Sequence, residues 1–206
     1  MAFDSFTYPD VIPHFGLTEG SQDLFAGVPD RAASAALRFF MDTNLTLANL
    51  INTEKARSEL LVAPVLSELF RQSFGAINLF SGMEFNADPE AQLTGFVDFM
   101  IGLGPQLPRI STPVVMIFEA KRDNIADGYG QCIAAMVGAE RYNRRLGNPM
   151  ETIYGAVTTG INWKFLRLRD SKLTFDLSEY FIQQPDRILG LLAHMVGLPP
   201  APAAAA

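Results

Sequence analysis

The stretch Pro113-Val-Val-Met-Ile-Phe-Glu-Ala-Lys121 carries the reading of this chain. Its first six residues read as a strand, apolar throughout. Such a strand has no solvent face, which is the pattern of a central strand covered on both sides. Its last three residues change character. Side chains alternate along a strand, so Glu119 and Lys121 project to one face and Ala120 to the other. A carboxylate and an ammonium are thus held side by side at the end of a buried strand.

Working outward, the preceding strand reads as Leu93-Thr-Gly-Phe-Val-Asp-Phe-Met-Ile101, with Asp98 inside an apolar run. Burying an ionised carboxylate is costly unless it is paired or binds a metal. If these two strands are neighbours, Asp98 and Glu119 converge. Gly75-Ala-Ile-Asn-Leu-Phe80 reads as one more strand, and Gly102–Arg109 as a loop by its Gly and Pro content. After the central strand, residues 125–142 read as a helix. One face carries Tyr129, Ile133, Met136 and Val137; the other is small, with Gly130, Ala134, Ala135 and Gly138, suited to close packing on a sheet. Thr152–Thr158 and Trp163–Leu168 read as two strands joined at Gly160-Ile-Asn162. Residues 188–196 form a last amphipathic helix.

On the amino-terminal side, Thr53–Gln72 reads as a helix that Pro64 kinks or breaks. A further helix starts at Pro29-Asp30 and is interrupted at Asp42-Thr43-Asn44. The order is therefore helix, three strands, helix, two strands, helix. A mixed α/β sheet flanked by helices on both faces accommodates both the crossover and the hairpins. The organisation expected is an amino-terminal arm over 1–29, one α/β domain over 30–197 with its core at 57–168, and a disordered Pro/Ala tail over 198–206.

Composition narrows the function. Apolar residues make up 49% of the 206, enough for a real core. There are 22 acids against 16 bases, a formal charge of −6, which excludes a whole-surface binder of nucleic acid or anionic membrane but leaves room for a local basic groove. The single cysteine, Cys132, rules out an internal disulfide framework, and His14 and His194 make a poor metal-ligand pair. No run of about 18 uncharged apolar residues exists. The start lacks the basic and apolar regions of a signal peptide, so the expected location is the cytoplasm. No Walker A loop, dinucleotide fingerprint or nucleophile elbow is present.

Two acids and a lysine meeting at one point suit metal-assisted phosphodiester hydrolysis. Mg²⁺ or Mn²⁺ prefers carboxylate oxygens and keeps several waters. Such a metal lowers the pKa of a bound water and neutralises charge at the phosphate, while the lysine orients the water or holds developing charge.

Asp98 followed by Glu119-x-Lys121 resembles the PD-(D/E)XK nuclease superfamily, the restriction-endonuclease-like enzymes. The element order over about residues 57–168 resembles that superfamily's core, although Val97 stands where the proline of its name would be. The resemblance implies a restriction-endonuclease-like fold, DNA as substrate, and Asp98 and Glu119 as metal ligands with Lys121 assisting water attack. It also implies a helix glutamate, Glu59, joining the metal site, and a polar residue on the following helix, Gln131, joining the catalytic group. A homodimer or a larger nuclease assembly would follow from a need to cut two strands.

Plainer readings stand beside each of these. Glu119 and Lys121 can be a simple strand-end ion pair. Asp98 can be satisfied by backbone donors, and Glu59 can serve the helix dipole behind a Ser58 cap. Gln131 can be structural. Cys132 and Trp163 read as packing residues. Arg141, Arg144, Arg145, Arg167 and Arg169 are either phosphate contacts or ordinary surface. The alternative to a nuclease is a non-catalytic binding or regulatory module on the same fold, such as a subunit of a restriction or repair assembly.

Overall fold

A computed structural model of the chain describes residues 2–111 and 113–200. The elements in order are α1 (Val11–His14), β1 (Thr18–Gln22), α2 (Ala35–Ile51), α3 (Glu54–Arg57), α4 (Ala63–Gln72), β2 (Ile77–Glu84), β3 (Phe96–Leu103), β4 (Val114–Ala120), α5 (Tyr129–Arg145), β5 (Ile153–Thr158), β6 (Asn162–Arg169), β7 (Lys172–Asp176), β8 (Tyr180–Phe181) and α6 (Pro185–Met195). The strands form one mixed sheet in the order β1-β7-β6-β5-β4-β3-β2, with β8 added beside β6. β4 and β5 run parallel, joined through α5, and β1 runs parallel to β7; the other pairs are antiparallel. The architecture is thus a mixed α/β sheet with helices on both faces.

β4 sits in the middle of the sheet and all seven of its residues are buried, as a strand without a polar face requires. On one side Phe99, Phe118 and Phe165 pack with Leu66 and Leu69 of α4, Met41 of α2 and Leu189 and Leu192 of α6. On the other, Met100, Ile117 and Val157 pack with Ile133 and Met136 of α5 and with Phe3, Phe6, Val11 and Ile12.

Of residues 1–29, expected as an arm, the described ones, from residue 2 on, are built into the domain. Phe3, Val11 and Phe25 are buried, and β1 closes one edge of the sheet. The small face of α5, expected against the sheet, partly receives this segment instead. A Cβ on Gly130 would stand 2.2 Å from Phe6 O, and one on Gly138 3.0 Å from Ala87 Cβ and 3.3 Å from the Phe3 ring. Close approach to the sheet is provided by Gly155 of β5, where a Cβ would meet Met136 Sδ at 2.4 Å and Cys132 Sγ at 2.9 Å.

Two helix expectations are corrected. α2 starts at Ala35, with the Ser34 hydroxyl accepting from Leu37 N–H, rather than at Pro29. It runs unbroken through Asp42-Thr43-Asn44. Asn44 is tolerated there because it is useful: its amide donates to Leu60 O at 3.4 Å, the carbonyl that Pro64, lacking an N–H, leaves without its helical partner. Helix thereby continues from α3 to α4 past the proline. Between them, Ser58–Val62 forms a π-helical turn in which Ala63 N–H donates to Ser58 O.

Of the tail, Leu198 N–H donates to Ala193 O at 2.9 Å and Pro199 O accepts from Arg31 at 2.9 Å; residues 201–206 lie outside the described residues. No described helix is long and apolar enough to cross a membrane.

Candidate active site

The β3–β4 ladder runs from Gly102 opposite Val114 to Phe99 opposite Phe118 and goes no further. Beyond it a side chain takes over from the backbone: Ala120 N–H donates to Asp98 Oδ2 at 2.7 Å. That bond holds the half-buried Asp98 against the end of β4, where Glu119 and Lys121 stand. On the other flank, Lys121 N–H donates to Thr158 O at 2.8 Å, continuing the pairing with β5.

Glu119 is 2% exposed. Lys121 Nζ lies 2.6 Å from Glu119 Oε1 and 3.3 Å from Gln131 Oε1 in the first turn of α5. Burial pushes the Glu119 carboxyl up, the Asp98 charge pushes it further, and the Lys121 ammonium only partly offsets them, leaving it at about 8. Burial works against the charge on Lys121, but the Glu119 carboxylate outweighs it and raises the ammonium above its ordinary value. Gly128, just before α5, lets the helix start sit close: a Cβ there would lie 2.5 Å from Val157 Cγ1, 3.2 Å from Lys121 Cγ and 3.4 Å from Glu119 Cγ.

Asp98, Glu119, Lys121 and Gln131 are therefore brought together. Glu59 is not. Its side chain is exposed, lies 3.6 Å from Lys55 Nζ in an ion pair, and borders a groove with Ala36, Phe40 and Pro64. An uninterrupted α-helix would have aligned Glu59 with Val62, Leu66 and Leu69; the π-helical turn containing Glu59 breaks that stripe. The helix acid that bears on the cluster is Glu54, at the start of α3 behind the Thr53 cap. Its charge raises the pKa of both Glu119 and Lys121. Sequence reasoning missed it; the one available signal was its place directly after a capping threonine.

The five arginines singled out from the sequence do not gather there; one arginine that does reach this end is Arg57, which donates to Thr159 O at 3.3 Å. Glu119 and Thr158 mark one end of β4 and β5, whereas β6 runs antiparallel to β5 and carries Arg167 and Arg169 to the opposite end. α5 starts at the cluster and delivers Arg141, Arg144 and Arg145 away from it. Arg141 meets Asp88 at 3.1 Å, Arg144 meets Glu140 at 2.8 Å and Arg169 meets Glu151 at 3.1 Å. Cys132 is buried and burial pushes its thiol well up, so it is a core residue rather than a nucleophile. Trp163 is fully buried, its indole N–H donating to Gly160 O at 3.3 Å, which leaves no face for a base.

Among the described residues no three His, Cys, Asp or Glu side chains surround one point. The acidic donors at the cluster are two carboxylates, and the charge of Glu54 acts on Glu119 and Lys121. No protein-family model matches the chain, and no curated protein matches its sequence.

Proposed function

We propose that this chain is a Mg²⁺- or Mn²⁺-dependent nuclease of the restriction-endonuclease-like kind, a hydrolase of DNA phosphodiester bonds. The observation that carries the reading is the convergence of Asp98, Glu119 and Lys121 at the end of a central strand, with Glu119 held proton-prone near neutral pH. A surface ion pair has no reason to sit there: a second acid beside a buried carboxylate is costly unless positive charge is to be added. The residues fit a hard divalent cation, since both acids offer oxygen ligands and Asp98 spends one oxygen on Ala120 N–H. Asp98 and Glu119 would hold the ion. Bound there, it supplies a water of lowered pKa and neutralises charge at the phosphate.

The chain's own residues do the rest. Lys121 Nζ orients the attacking water or meets charge developing on the phosphate oxygens. Gln131 Oε1 and Glu119 Oε1 fix that ammonium from two sides, so it is placed before substrate arrives. Gly128 keeps the start of α5 close enough for Gln131 to reach.

The test is cleavage of plasmid and single-stranded DNA with Mg²⁺ or Mn²⁺, beside Asp98→Ala and Lys121→Ala. Wild-type cleavage lost in both variants, with folds retained, supports the mechanism; full activity in either overturns it. One observation favours the second reading, a non-catalytic binding module: Arg141, Arg144, Arg145, Arg167 and Arg169 are all carried away from the cluster on a chain of charge −6. Binding of Mn²⁺ without cleavage of any substrate would select it.

A further inference from the structure

The outward side of α2 is apolar and uncovered. Phe39 is 72% exposed, Phe40 52%, Leu47 45%, Leu50 79% and Ile51 48%. Ala36, Phe40, Thr43, Leu47 and Leu50 recur at spacings of four and three along this 17-residue helix, the repeat of a seam that packs on another helix. Its remaining sides are either core-facing or polar. Leu37, Met41, Asn44 and Ala48 face the core, and Arg38 and Asp42 border a cleft with Ile182 and Pro185, where Arg38 pairs with Asp186 at 2.6 Å.

We infer that this side of α2 is the interface between two copies of the chain, packed about a twofold axis that passes near Thr43. Three observations select a second copy. The five exposed side chains present on the order of 500 Å² of apolar surface, at the upper end for a lone monomer patch and most of the about 800 Å² that each partner of a stable pair buries. The stripe itself carries no charge, and the charges beside it are paired within the chain, Glu59 with Lys55 and Arg71 with Glu68, so little is left to hold nucleic acid or anionic lipid, whereas a twofold contact needs only the same patch on both sides. Its shape suits that symmetry, with a small Thr43 at the middle and bulky ends, Phe39 and Phe40 towards one and Leu50 and Ile51 at the other. Run antiparallel, the aromatic end of one copy lies on the aliphatic end of the other. The groove of about 420 Å³ beside Phe40, floored by Ala36, Ala63 and Pro64 and bordered by Glu59, Glu68 and Arg71, gives a neighbouring ring somewhere to go. The inference is independent of the chemistry at the strand ends.

The experiment is sedimentation of the full chain over a wide concentration range, beside Phe39→Glu/Leu50→Glu, with circular dichroism to verify folding of the exposed-site variant. The expected wild type has twice the 22.6 kDa of the chain, and the double variant associates at least ~100-fold more weakly. A wild type that stays at single-chain mass, a larger open-ended assembly, or a double variant that dimerises unchanged overturns the inference. As a measurement that does not depend on weakening anything, Thr43→Cys is oxidised mildly. The native Cys132 is buried, so a chain-to-chain disulfide at 43 supports the axis, and its absence in a proven dimer overturns it.

Discussion

Two glutamates lie almost wholly inside this molecule, and their surroundings treat them oppositely. Glu68 on α4 is 6% exposed and accepts five hydrogen bonds, from the Ser34 N–H and hydroxyl, from Arg71 twice and from Gln72. Burial raises its pKa, but those donors outweigh burial and hold the carboxyl at about 2. Glu119 is as buried, has one lysine, and faces Asp98; it is pushed to about 8. The first is a carboxylate whose charge the fold has answered. The second is one whose charge the fold has left half answered, at the sheet end where a ligand of opposite sign would complete it. Strain of this kind concentrates at functional sites.

The largest effect that would break this contrast is catalytic. Lys121→Ala is expected to lower metal-dependent cleavage by about 10³-fold while leaving the melting temperature close to wild type, whereas Glu68→Gln should leave cleavage per folded molecule unchanged. Steady-state cleavage and calorimetry on both variants check it; a Glu68 variant that loses activity while folded would erase the distinction. Next, Glu68→Gln is expected to cost ~1–3 kcal/mol in denaturant unfolding, because buried donors lose an ionised acceptor.

The two acids also oppose each other in pH. Glu68 binds its proton less readily when folded, so its contribution is complete above about pH 4.5 and is lost as pH falls toward about 2. Glu119 binds its proton more readily when folded, so its contribution is complete below about 4.5 and is lost as pH rises through about 8. Melting curves without metal should therefore decline on both sides. Glu119→Gln should flatten the alkaline decline alone and Glu68→Gln the acid one alone; a Glu119 variant with an unaltered alkaline limb would remove the argument that its charge is unanswered. The smallest effect separates the two helix acids. Glu54→Ala should change Mn²⁺ affinity by a few fold, and Glu59→Ala should change neither affinity nor, beyond ~0.5 kcal/mol, stability. Isothermal titration reads both.

How much of this was legible in the sequence follows from local physics. The strands β3, β4 and β5 announce themselves because central strands must be apolar, and Asp98, Glu119 and Lys121 stand out against that background. Thr18-Glu-Gly-Ser-Gln22 does not, since an edge strand half in water carries no apolar signature, and β7 is five residues long. Asn44 read as a break because asparagine disfavours helix interiors; only its contact with Leu60 O, across 16 residues, explains it. Glu59 was misplaced for a related reason. A π-helical turn shifts register by one residue, and nothing in Arg57–Val62 marks it except the nearby Pro64. The small face of α5 was legible as a close approach, but what approaches it was not.

The pairing of β1 with β7 gives the chain a particular history as it is made. Leu24 N–H donates to Asp176 Oδ1, Ala33 N–H to Asp186 Oδ1, and Arg187 to Phe25 O and Val28 O, so residues near the start are tied to partners roughly 150 positions later. On a ribosome residues 18–33 emerge well before β7 and α6, the elements they pair with, whereas Phe3 finds its partner Thr94 after about half the distance. Contacts of such long sequence separation are slow to close, which makes docking of this leading segment a late event and the unpaired edge of β7 the hazard of the interval. A bulky insertion just ahead of β1 would act on that step, and its cost would appear as aggregation during synthesis before it appeared as any loss in the finished protein.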